Sequence, residues 1–81
     1  MKYVCCCFVV RYHLDEINRM TRFKDDNSDM IAFNNASEFA KEKAFEGYIV
    51  DIAIEYNSIF KEKILELHRL CSEIRIKEGE L

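Results

Sequence analysis

Residues 48–56 alternate more strictly than any other stretch: Tyr48, Val50, Ile52, Ile54 and Tyr56 fall on one side, and Asp51 and Glu55 on the other. Successive side chains of a strand point to opposite faces, so a slip of one residue would bury both acids. The pattern therefore admits one register and requires an apolar layer against one face of the sheet, with the acid-bearing face left to water. Everything else in the chain has to supply that layer.

The other regular segments are readable by the same logic. Residues 2–12 alternate as well, with Val4, Cys6, Phe8, Val10 and Tyr12 on one side and Cys7, Val9 and Arg11 among those on the other. The second side is itself fairly apolar, which suits a central strand or one whose outer face meets a partner. Asn34-Asn35-Ala36-Ser37-Glu38 reads as a capped helix start, Ala36, Phe39, Ala40 and Ala44 as its buried stripe, and Gly47 as its left-handed stop. Asn57 or Ser58 caps a last helix carrying Phe60, Ile64, Leu67, Cys71 and Ile74 at spacings of four and three. With Ile59 and Leu70 beside it, that apolar stripe is wide enough to cover a sheet and is also a seam through which the chain could form a homodimer.

Between these lies a less regular segment. Residues 13–29 read either as a helical turn through Leu14, Ile17 and Met20 or as a return strand over Arg19 to Lys24, followed by a polar turn at 25–29 and a short strand from Met30 to Phe33. The expected fold is thus a single α+β domain spanning 1–81: a mainly antiparallel sheet of about three strands, a short helix at about 35–46 and a long C-terminal helix at about 58–77.

With 81 residues the core is thin, and disulfides, a metal or a partner commonly supplement a core of that size. Three of the four cysteines, Cys5, Cys6 and Cys7, are consecutive, which argues for free thiols and a reducing cytoplasm. The apolar run from Tyr3 to Val10 is too short for a bilayer and lacks a signal-peptide cleavage site. A net charge of −3 with interspersed signs offers no basic stripe for nucleic acid, and Arg11, Arg19, Arg22 and Lys24 read as a solvated surface.

Reactive constellations are incomplete. Asp25-x-Asn27-x-Asp29 copies the opening of a calcium loop, but Met30 and Ala36 stand where its glycine and bidentate glutamate belong. His68 and Cys71 have the spacing of a zinc pair that Cys5 and Cys7 could complete, or of a thiol and its base, with His13 a remote candidate; tight CxxC turns and an orienting third group are lacking. Gly47 and Gly79 stand alone, so no phosphate cradle is expected. No catalytic residue, cofactor or metal ligand is assigned, and the expected role is that of a non-catalytic module binding another protein. The candidate contacts are Phe45, Asp51, Glu55, Glu66, Arg69 and Glu73, with Phe60, Ile64, Leu67, Cys71 and Ile74 as the candidate dimer seam.

Short length, absence of proline, abundant Ile, Asn, Lys, Asp and Glu, and the order strand, capped helix, strand in Ile31 to Tyr56 resemble the small accessory proteins of bacteriophages, which include inhibitors of restriction and CRISPR defence. The resemblance implies a protein that blocks or redirects host machinery by occupying a surface. It carries over no individual residue.

Overall fold

The computed structural model describes residues 6–55 and 60–79, in the order β1 (Cys7–Leu14), β2 (Ile17–Phe23), α1 (Asp29–Phe45), β3 (Ile49–Glu55) and α2 (Lys61–Gly79). Tyr3, Val4, Cys5, Tyr56, Ile59 and the candidate caps Asn57 and Ser58 lie outside the described residues. The three strands form one antiparallel sheet in the order β2-β1-β3, and two helices complete an α+β fold. β1 is the middle strand, which accounts for its second apolar face: Val9 points away from the helices yet is only 3% exposed.

The irregular segment resolves into a hairpin. Leu14 pairs with Ile17 across a two-residue turn, in which Asp15 takes the left-handed conformation at φ 54°. Asp tolerates that region better than most residues, and a two-residue loop locks the register of the returning strand. β2 thus begins two residues earlier than a return strand over Arg19 to Lys24 would place it.

The first helix starts well before Asn34. Ser28 is the actual cap, extended at φ −156° and ψ 120°, and its hydroxyl accepts from the Ile31 N–H at 3.3 Å. Asp29 adds an acid to the first turn, where the helix dipole favours it. Met30 to Phe33, read above as a short strand, is therefore the opening of α1, and Asn34 and Asn35 sit exposed on its outer side. The competing signal was local. An Asn-x-x-Glu motif satisfies amides only if no better cap precedes it, and Ser28-Asp29 does. At the other end Gly47, at φ 96°, closes a Schellman motif in which Tyr48 N–H donates to Lys43 O and Gly47 N–H to Ala44 O, both at 3.0 Å.

Ala32, Ala36, Ala40 and Ala44 recur every fourth residue and are all at most 1% exposed, so α1 lies on the sheet along a stripe of methyl groups. Small side chains allow close approach, and larger rings fill the flanks. Phe8 of β1, Phe33 of α1 and Phe60 at the entry to α2 form a triangle with centroids 5.2 to 5.5 Å apart, in which Phe8 meets both other rings edge-on, contacts that add to plain burial. Ile52 from β3 and Ile64, Leu67 and Cys71 from α2 continue the same core, with Tyr48, Val50, Ile54 and Ile74 partly buried against it.

Candidate partner-binding surface

α2 packs against α1 and beside β3, and among the described residues its backbone keeps clear of β1 and β2. Its position is fixed by the stripe Phe60, Ile64, Leu67 and Cys71, whose side chains are 3 to 7% exposed, with Ile74 partly buried behind them. The five residues singled out as a dimer seam are thus engaged in the chain's own core. A second copy could use them only after α2 had left the sheet.

The next residue round the helix from Leu67 is His68, and its ring reaches the outer edge of β3. Nε2 lies 2.9 Å from the Ile52 nitrogen and 3.2 Å from the Ile52 oxygen. With the proton on Nδ1, Nε2 accepts the Ile52 N–H; with the proton on Nε2, it donates to the carbonyl. Either way a backbone group that a further strand would need is occupied. Asp51 stands 3.8 Å from the same nitrogen and keeps 62% of its side chain exposed.

Cys71, one turn further on, is a core residue. Burial pushes its thiol above the ordinary range, opposed in part by the positive charge of Lys41. A protonated buried thiol is a poor nucleophile and a poor metal ligand, so the pair His68 and Cys71 is occupied with packing and edge capping. Among the described residues no group of three or more His, Cys, Asp or Glu side chains could hold a metal ion. The acids of the calcium-like stretch also have structural tasks. Asp25 accepts from the N–H groups of Asn27 and Ser28 at 2.8 and 2.9 Å, and Asp29 accepts from the Cys6 N–H at 2.9 Å and its thiol at 3.1 Å.

The solvent side of α2 carries a charged row. Arg69 bonds Glu73 at 2.6 Å one turn ahead and approaches Glu66 at 3.5 Å one turn behind, bringing three of the candidate contacts together. Glu66 also stands on the rim of an open groove between α1 and α2, of about 170 Å³, lined by Phe33, Ser37, Lys41, Lys63, Leu67 and Leu70. Its floor is apolar and two of its three charged rim residues are lysines. Composition could not find this groove, because Lys41 and Lys63 come from different helices and neither belongs to a run of like charge.

The remaining candidates are placed apart. Phe45 ends α1 with 58% of its surface exposed. Asp51 and Glu55 pair in register with Arg11 and Cys7 of β1, and Asp51 lies on the sheet face turned away from the helices, while the side chain of Glu55 lies outside what the structure describes. Near the end of α1, the Lys43 ammonium sits 5.2 Å from the Tyr12 ring, 5.3 Å from Phe39 and 5.7 Å from Tyr48, and bonds Glu46 at 3.1 Å. This aromatic box is filled by the protein's own cation. No protein-family model, curated protein or solved structure matches the chain.

Proposed function

We propose that the chain is a non-catalytic protein-binding module and that the groove between α1 and α2 is its principal contact. One observation carries the reading: an open cleft with Phe33, Leu67 and Leu70 in its lining and Lys41 and Lys63 at its rim. An apolar floor supplies binding energy through burial, and cations at the rim select orientation and partner. A segment presenting one or two apolar side chains beside acidic ones complements it. Glu66, continued along the helix by Arg69 and Glu73, forms a polar border that helps set register.

The features behind the resemblance to bacteriophage accessory proteins support a partner belonging to host or defence machinery, blocked by occupation of a surface. The test is capture of cytoplasmic proteins on the immobilised chain, with identification by mass, comparing wild type, the double variant Lys41→Glu/Lys63→Glu, and Lys77→Glu as a charge control. All three positions are exposed or at the groove rim, so the fold should persist. A partner retained by wild type and control but lost by the double variant supports the groove. Equal retention by all three removes it.

A further inference from the structure

The two edges of the sheet differ, and the hydrogen bonds to His68 reveal how. Both polar groups of the Ile52 backbone point outward from β3 to that ring, so Ile52 spends neither of them on its Cα partner Val10. In an antiparallel ladder the bonded and non-bonded pairs alternate, so Val10 directs its own groups to Thr21 on β2. The neighbours of Thr21 then point the other way. Asn18, Met20 and Arg22 present their N–H and C=O groups along the outer edge of β2, and among the described residues no strand pairs with that edge.

An edge of this kind is ordinarily blunted by proline, a bulge, a very short strand, charged side chains or a covering helix, and β2 carries two charges, Arg19 and Arg22. β2 spans seven residues, Ile17–Phe23, without proline, and pairs with β1 residue for residue along its whole length. Its sequence also suits one occupant. We propose that β2 pairs antiparallel with β2 of a second copy, joining two sheets into one of six strands about a two-fold axis at Met20.

Three observations select this arrangement. Centring on Met20 gives full overlap of Ile17–Phe23, and the groups that point outward meet their own kind, which the alternation of the ladder requires. In that register Arg22 faces Asn18 and Arg19 faces Thr21 of the other copy, so no arginine stands directly opposite an arginine; centring on Arg19 or Arg22 would oppose like charges. Finally, Ile17 falls opposite Phe23 and Met20 opposite Met20. Ile17 and Met20 are 45% and 50% exposed in the single chain, so both apolar groups gain cover.

The helices leave room. Corresponding β1 strands would lie three strand spacings apart, about 14 Å, so helices laid over them clear the roughly 8–10 Å of direct helix contact. α2 is on the far side, beside β3.

Sedimentation equilibrium of the full chain from about 10 μM to about 1 mM, a range that resolves weak association, should show a reversible dimer. Asn18→Asp places an acid opposite Arg22 twice per dimer and should tighten it, while Asn18→Lys opposes two cations and should weaken it, each by about two- to thirtyfold. Asn18 is exposed and both variants should fold as the parent does. Amide exchange at Asn18, Met20 and Arg22 should slow as concentration rises. A strictly monomeric chain at the top of the range overturns the proposal, and so does a dimer indifferent to both substitutions.

Discussion

At the β3 edge the outward groups of Ile52 meet the His68 ring, and α2 lies alongside; at the β2 edge those of Asn18, Met20 and Arg22 meet no further strand among the described residues. The backbone chemistry of the two edges is the same. What differs is the chain that follows each strand. β3 leads into α2, whose apolar stripe must return to the core and brings a polar side chain past the strand on the way. β2 leads through the Asp25 turn into α1, which crosses the sheet face and leaves the edge free. Closure of an edge is thus a by-product of where the next apolar stripe must go, and the open edge is the one whose following helix has a face to cover instead.

That account can be broken most severely at Leu67, which holds α2 against the core at 3% exposure. Leu67→Ala should cost about 2–5 kcal/mol, the range for large-to-small changes at sites that relax incompletely. If buried contacts close the β3 edge, chemical denaturation will show this loss. It should be accompanied by faster exchange of the Ile52 amide than of amides in the β1–β2 ladder. Met20→Ala, on the open edge, should change monomer stability by no more than about 0.5 kcal/mol. Similar losses at the two positions would contradict the comparison.

His68→Ala is the next test, smaller because it leaves the stripe intact. It strands the Ile52 backbone groups beside α2, and an unpaired buried polar group costs about 1–3 kcal/mol, toward the lower end here because the ring is a third exposed and water can enter. The variant should also gain concentration-dependent association, since a second edge becomes available for pairing. No change in either quantity would mean that α2 closes the edge by shape alone.

Cys71 reports on the same closure without substitution. Its thiol is raised above the ordinary value by burial in the folded chain, so the group contributes stability in full below the ordinary thiol pKa. That contribution is lost as pH climbs through the raised folded value. Alkylation of Cys71 in the native protein should therefore begin at higher pH than in the denatured chain, and the difference should vanish in Leu67→Ala if α2 has detached.

Much of this architecture is visible in the residues themselves, for a physical reason in each case. The inward face of β3 could be read because Asp51 and Glu55 would both be buried by a slip of one residue, and the stripe of α2 because five apolar positions leave one face to cover. The start of α1 was misplaced because Asn34 and Ser28 both offer plausible caps, and the choice rests on Asp25 and Asp29, whose partners lie at Ser28 and Cys6. The groove was invisible, since Lys41 and Lys63 meet only once α1 and α2 pack. The edge capping by His68 was equally hidden: a histidine on a helix rim says nothing of the strand it faces until the crossing is known. The ion row at Glu66, Arg69 and Glu73, by contrast, follows from spacing along a single helix.

That row yields the smallest expected effect and still separates two explanations of the closed edge. Arg69 is 58% exposed on the side of α2 that faces water, and its bonds to Glu66 and Glu73 are ion pairs within one helix. Exposed pairs of that spacing are worth roughly 0.3–0.5 kcal/mol each, so Arg69→Ala should lower stability by no more than about 1 kcal/mol, an effect that high salt should shrink. Exchange at Ile52 should be unaltered, because Arg69 holds α2 to itself and not to β3. If the substitution instead opened the edge as Leu67→Ala is expected to do, the helix would owe its place to surface charge, and the argument from the buried stripe would have to be abandoned. If stability and edge both hold while capture of the partner weakens, the row belongs to the binding border of the groove.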